Sequence, residues 1–336
     1  MVVVIGASGF IGTYLIDELL KHGFAICGTG RDKEAVEYYR KKGIDLISLD
    51  ISKASDFDKL PTKNVQAVVL LAALLPANVK DYNPEKYIDI NVTGTLNVLE
   101  YCRKIKVKKL ISTTSYADVL NSWQVSPAIT EEEPRNFRMN DDHTMYIISK
   151  NAASDLIYHY NAFYGMQGSV FRLPPVIGWG PHSIIYVNGK VYKSGFQIFY
   201  EKAVKGEEIE IFGNAQTARD IVSVKDVARA FRLAIESDKA SGLYNITSGY
   251  PLSLDEQVKT TIEVFSQKTR QSHIKYSPEK QNNSTSYLFN ITKAKCDFSY
   301  EPQYLPFKKL LLDYQEEIHA DRFPFLTFDR SKKETR

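Results

Sequence analysis

Val2-Val3-Val4-Ile5-Gly6-Ala7-Ser8-Gly9-Phe10-Ile11-Gly12 carries four β-forming residues into a glycine turn and then, without a gap, into an amphipathic segment that ends near His22. A continuous apolar run is the pattern of a parallel strand buried on both faces. Glycines at the turn that follows let the backbone bend sharply and approach a pyrophosphate held at a helix N-terminus. The spacing Gly6, Gly9, Gly12 is GxxGxxG and differs from the GxGxxG of the common dinucleotide fingerprint. Among 18 glycines such a triplet says little by itself. Its place between a strand and a helix is what points to a dinucleotide.

The alternation continues outward from this turn. Residues 24–31 read as a second strand and are followed by a polar helix to about Lys42. Residues 44–49 read as a third strand closing on Asp50, 65–72 as a fourth, 84–104 as a long helix and 108–113 as a fifth strand. This order predicts an α/β fold, a doubly wound parallel sheet with helices on both faces. Ligands of such sheets lie beyond the carboxyl ends of the strands, which selects the glycine turn, Arg31, Asp50, Ala72-Ala73 and the stretch from Thr113 to Tyr116. After a polar stretch, 117–141, a helix is expected from about Asp142 to Tyr164 and a strand over 167–172. Beyond Pro174-Pro175 the elements shorten, with a hairpin around Asn188-Gly189, strands over 207–212 and 243–247, and helices over 224–236, 254–268 and 307–320. The expected division is a cofactor-binding domain, 1–172 with 213–242, a second, smaller mixed α/β lobe, 173–212 with 243–321, and a charged tail, 322–336.

A chain of 336 residues with 43% hydrophobic residues can bury a full core. Its 43 basic and 40 acidic residues are interspersed, which argues against a nucleic-acid or membrane partner. Cys27, Cys102 and Cys296 are odd in number and widely spaced, as reduced thiols are, and no metal-ligand spacing occurs. With an apolar strand at residue 2 and a longest apolar run of only 67–75, neither a cleaved leader nor a membrane span is expected, and the protein is read as cytoplasmic.

Tyr146 and Lys150 share a helix face, and an ammonium beside a phenol favours the phenolate. The same Tyr-x3-Lys spacing occurs six times in the chain, so context must choose among the copies. Tyr146 and Lys150 alone lie on the helix between the fifth and sixth strands, after the hydroxyl cluster Ser112-Thr113-Thr114-Ser115 that ends strand five. A tyrosine acts as general acid or base when a second donor holds the same substrate oxygen.

Further motifs stand in register along 2–295: Asp50-Ile51, Leu71-Ala72-Ala73, Asn91-x-x-Gly94-Thr95-x-Asn97, Tyr146-x-x-Ser149-Lys150, Arg172 to Pro181, Arg219-Asp220-Ile221-Val222-Ser223-Val224-Lys225-Asp226 and Tyr244-Asn245-Ile246. With the glycine turn they resemble the extended short-chain dehydrogenase/reductase family, in particular its NAD(P)-dependent epimerase/dehydratase group acting on nucleotide-activated sugars. The resemblance implies that Tyr146 is the catalytic acid/base, that Lys150 tunes it and binds the nicotinamide ribose, and that Thr114 is the hydroxyl donor, with Ser115 as the alternative on the substrate. It implies cofactor contacts from Gly6, Ser8, Gly9, Phe10, Ile11 and Gly12, from Asp50 and Ile51 at the adenine, and from Leu71, Ala72 and Ala73. It places Arg219 at the substrate diphosphate, where a guanidinium can bind two oxygens, and Asn91 as a disturbance in the central helix, while Asp226 is read as a cap of the helix that follows it.

The chain departs from the group in three places. Pro175 stands where an asparagine amide commonly contacts phosphate, and Ser277-Pro278-Glu279-Lys280-Gln281 leaves Lys280 as the sole cation of the usual C-terminal phosphate contact. Ser115-Tyr116 replaces the Asp-Glu pair of sugar dehydratases, so dehydration is not expected. The expected function is hydride transfer at a carbon of a nucleotide sugar, as a 4-epimerase or 4-keto reductase. The alternatives are an NADPH-dependent reductase of a non-nucleotide carbonyl compound and a cofactor-binding scaffold without turnover. Gly30 occupies the position that is acidic in NAD enzymes, and Arg31 follows it. NADP is therefore the expected cofactor, with NAD the alternative, Asp32 competing for the acidic role, and a homodimer left open.

Overall fold

The computed structural model describes residues 1–76, 82–141, 143–180, 184–187, 190–282 and 284–326. Pro181, the Asn188-Gly189 turn, the proposed helix start at Asp142 and the tail from 327 onward lie outside the described residues. Strand β1 (Val2–Ile5) leads into α1 (Phe10–Lys21), then β2 (Ile26–Thr29), α2 (Lys33–Lys41), β3 (Leu46–Ile47) and β4 (Ala67–Leu70). Helix α3 (Pro84–Tyr87) passes through a π-helical turn, Ile88–Thr93, into α4 (Gly94–Lys104). Next come β5 (Lys109–Ser115), α5 (Thr144–Tyr164) and β6 (Gln167–Leu173).

The smaller elements follow as β7 (Val176–Ile177), β8 (Ile184–Val187), β9 (Lys190–Lys193), α6 (Gly195–Lys205), β10 (Ile209–Phe212), β11 (Ala218–Asp220), β12 (Val222–Ser223) and α7 (Val224–Glu236). The chain closes with β13 (Gly242–Asn245), β14 (Pro251–Ser253), α8 (Leu254–Phe265), β15 (Ile274–Ser277), α9 (Thr292–Phe298) and α10 (Phe307–Ala320).

The main sheet runs β3-β2-β1-β4-β5-β6-β13, every neighbour pair parallel. Strand β1 is buried on both faces, and its two-residue period divides the core. Val2 and Val4 pack with α1 and α7, whereas Val3 and Ile5 pack with Val98 and Leu99 of α4 and Ile157 of α5. The doubly wound expectation therefore holds, and the expected hairpin pairs as β8 with β9, Val187 opposite Lys190.

The second lobe is two small packings, β10 with β15 beside α6 and α8, and β11 with β14 beside α10. Two details of the expected division change. Residues 243–247, placed with the second lobe, include most of β13, which extends the main sheet beside β6. Residues 322–326 are not a free charged tail. Phe323, Phe325 and Leu326 are buried against Tyr14, Tyr38 and Tyr39, and Arg322 pairs with Asp17 and Glu317. Three apolar residues in five outweigh the charge that a count over 322–336 emphasises. Among the described residues no helix is long and apolar enough to cross a membrane.

Candidate active site

A cleft of about 1340 Å³ runs along the carboxyl ends of β1, β2, β4 and β5 and on into the second lobe. At its cofactor end the glycine turn is required by contact. Gly6 has φ +94°, and a Cβ there would stand 2.6 Å from the Ala72 nitrogen, because Ile5 O already accepts from both Leu71 N and Ala72 N. A Cβ on Gly12 would collide with the Gly6 carbonyl. Gly9 caps α1 without any side-chain hydrogen bond, so the first-turn N–H groups face the cleft unshielded. This cradle fits a pyrophosphate. Ser8, Phe10 and Ile11 line the same end, with Leu71, Ala72 and Ala73 opposite.

At the end of β2, a Cβ on Gly30 would stand 2.7 Å from Ser8 Oγ, which explains why no carboxylate side chain occupies the position. Asp32 is the N-cap of α2, its Oδ1 accepting from Ala35 N at 2.9 Å, Arg31 is exposed, and both line the cleft. Asp50 also lines it and accepts from Ser52 N and Oγ at 3.1 and 2.7 Å, bonds that hold its carboxyl below the ordinary value. Ile51 packs against Gly94, where a Cβ would lie 2.7 Å from Ile51 Cδ1.

Thr114, Ser115 and Tyr146 meet in the middle of the cleft. Thr114 is buried, and its Oγ1 has no hydrogen-bond partner among the described residues, a costly state that a ligand oxygen would relieve. Ser115 Oγ accepts from Ala117 N at 3.2 Å, capping the turn after β5. Burial, with Tyr87 and Tyr116 beside it, pushes the Tyr146 phenol above its ordinary value. Burial also pulls Lys150 down to about 8. The ammonium is expected from sequence to lower the phenol; in the folded chain desolvation of both groups dominates. Lys150 itself does not line the cleft.

The π-helical turn explains how α5 is held at this depth. Asn91 Oδ1 accepts from Leu74 N at 2.8 Å, while its Nδ2 donates to Leu74 O at 3.1 Å and to Ser149 Oγ at 2.9 Å. One buried amide thus ties the loop after β4 to the turn of α5 that carries Tyr146.

Arg219 reaches the cleft from β11; one of its Nη groups donates to Ser284 Oγ at 2.6 Å, and its buried Nε has no partner among the described residues. Lys280, expected at the substrate, pairs with Glu210 at 2.6 Å and lies over the Phe212 ring, behind two residues of the cleft lining. A neighbouring carboxylate on β10 is the closer anion. Arg172 is buried on Asp118 at 3.0 Å, while Pro174 and Pro175 line the cleft. The cap of α7 is Ser223, and Asp226 accepts from Gln303 N and Tyr304 N. Sequence reasoning passed over Trp123, which lines the cleft with Tyr116; its place in a long polar loop hid it.

The profile of the NAD dependent epimerase/dehydratase family matches residues 2–247. The chain belongs to that family. It is an enzyme of the extended short-chain dehydrogenase/reductase type. A putative UDP-glucose 4-epimerase of Methanocaldococcus jannaschii is 27% identical over 256 residues, 76% of this chain and 79% of that protein. A UDP-glucuronate 4-epimerase of Thermodesulfobacterium geofontis is 27% identical over 89% of this chain and 90% of its own. The crystal structure of a Thermotoga maritima UDP-glucose 4-epimerase with UDP-glucose superposes with a TM-score of 0.76 at 23% identity, covering 95% of this chain and 99% of the other. That likeness concerns the fold.

Proposed function

We propose that this family member transfers hydride at a carbon of a nucleotide-activated sugar, as a 4-epimerase or 4-keto reductase, with NADP(H) preferred over NAD(H). The observation that carries the reading is one continuous cleft holding the glycine cradle, the unpartnered Thr114 hydroxyl, the Tyr146 phenol and the Arg219 guanidinium. The epimerases and decarboxylases of UDP-sugars among its relatives support the same substrate class. When bound, the nicotinamide dinucleotide supplies the hydride acceptor and donor, held by Gly6, Gly9, Gly12 and the residues around them. Tyr146 takes the proton from the substrate hydroxyl, or returns it, and Thr114 holds the same oxygen. Lys150, one turn along α5, is assigned to the nicotinamide ribose.

Arg219 is assigned to the diphosphate. Its Nε is already desolvated without a partner, so an incoming phosphate oxygen gains a charge-assisted bond at little further cost. Arg219→Ala is expected to weaken a nucleoside diphosphate by about 1.5–3 kcal/mol while leaving the adenine dinucleotide unaffected. Calorimetric titration of both ligands checks this. No stabilisation of the wild type by any nucleoside diphosphate would favour the non-nucleotide carbonyl substrate.

Preference for NADP(H) is supported by Gly30, which removes one repelling carboxylate, and by the exposed Arg31 at the cleft, next to an Asp32 carboxylate bonded to the α2 N-terminus. Arg31 is expected to contribute roughly 1.5–3 kcal/mol to the 2′-phosphate, on the order of ten- to a hundredfold in affinity. Titration of NADPH and NADH into wild type and Arg31→Ala measures the ratio. Equal wild-type affinities, or a ratio unmoved by the substitution, would return the assignment to NAD.

A further inference from the structure

Tyr116 occupies a place that the reaction above leaves unused. It opens the 3-10 turn Tyr116–Ser122 after β5, and its ring lies flat on Trp123, centroids 5.0 Å apart and planes 6° from parallel. The Trp123 indole N–H donates to the Tyr116 carbonyl at 3.2 Å. Tyr287 packs on both rings at 5.2 and 4.6 Å, and Val119, Ile129 and Phe289 complete the cluster. The pair is therefore a fixed wall and not a mobile flap.

The wall stands at a telling position. Tyr116 packs on Tyr287, whose backbone pairs with that of Arg219, and Tyr116, Trp123, Tyr146 and Arg219 all line the one cleft. A hexose whose diphosphate is held by Arg219 and whose reacting carbon is at Tyr146 must cross it. Around this crossing the lining is Ser115, Ala117 and Leu120, hydroxyl and apolar carbon. Of the other Lys, Arg and His side chains that line the cleft, Arg31 is at the end of β2, Lys202 donates to Glu208 O at 3.1 Å, His143 is the N-cap of α5, and Arg138 is exposed. A carboxylate buried on the wall would lose its hydration against Ser115, Ala117 and Leu120, none of them a cation, and Arg138 is the lining arginine to test as a substitute. A hydroxymethyl group would rest on the rings and share the phenol's hydrogen-bonding capacity.

We propose that Tyr116, held flat on Trp123, is a specificity-determining residue that selects an uncharged hexose over a hexuronate. The inference rests on the nucleotide-sugar reading above. Its test is calorimetric titration of uridine diphosphate, UDP-glucose and UDP-glucuronate into wild type, Tyr116→Ala and Arg138→Ala. The wild type is expected to bind UDP-glucose about tenfold or more tighter than UDP-glucuronate. Tyr116→Ala brings the two sugars toward parity and keeps its affinity for uridine diphosphate, whereas Arg138→Ala leaves the ratio as it was. Should Tyr116→Ala lose uridine diphosphate too, Trp123→Leu, which unstacks the phenol in place, must narrow the same ratio. A wild-type ratio near one, or a ratio that neither variant moves, overturns the inference alone. Absence of uridine diphosphate binding to the wild type overturns the nucleotide reading, and this inference with it.

Discussion

Tyr146→Phe is expected to lower kcat by roughly 10²- to 10⁴-fold, with cofactor affinity and the unfolding midpoint near wild type. The substitution removes one oxygen and keeps the ring, so the packing of α5 on the Asn91 amide through Ser149 is untouched. The cost falls on the proton transfer, because the phenol is the group that lines the cleft beside Thr114 while Lys150 stays back from it. Single-turnover reduction of bound cofactor separates the chemical step from binding. A variant that keeps most of its rate would move proton transfer to another group.

The main sheet was legible because its strands are buried on both faces and therefore read as unbroken apolar runs. Val2–Ile5 and Ala67–Leu70 are such strands, and α7 and α10 lie where their helical patterns put them. What could not be read was pairing over distance. Nothing local in Gly242–Asn245 says that it joins β6 and not the second lobe; the register with Ser169 to Arg172 decides that. The buried end at Phe323 and Phe325 was masked in the same way, since its partners Tyr14, Tyr38 and Tyr39 are some three hundred residues distant in the chain.

The site shows the same division. Backbone requirements leave a mark in sequence, because only glycine tolerates the approach at Gly6 and Gly12, and a hydroxyl run at a strand end is visible. Ion pairing is not visible, and neither the Glu210 partner of Lys280 nor the Asp118 partner of Arg172 is foreseen. Glu210 is seventy positions from Lys280 and Asp118 is fifty-four from Arg172, and in each case the protein's own carboxylate holds the cation. The π-helical turn at Ile88–Thr93 likewise looks like ordinary helix until Asn91 is seen bonding Leu74 and Ser149.

Arg172→Ala is expected to cost about 3–5 kcal/mol of stability, the range for breaking a buried ion pair by removing one partner. Arg172 is 1% exposed and Asp118 is 2% exposed. The guanidinium reaches Asp118 through Nε and Nη2 at 3.2 and 3.1 Å, and Nη1 also donates to Asn245 Oδ1 at 3.1 Å and to Thr130 O at 3.3 Å. It therefore joins β6 to β13 and to the loop that begins with Tyr116. Burial pushes the Asp118 carboxyl above its ordinary value and Arg172 draws it back down, so without the guanidinium the acid must take up a proton or remain an unpaired buried charge. Because desolvation of the pair offsets much of its attraction, Arg172→Met with Asp118→Leu is expected to recover a large part of the loss. Urea unfolding of the two single variants and the double variant measures both terms. A single variant within about 1 kcal/mol of wild type would show that water reaches Asp118, and the pair would then be one of the weak surface kind.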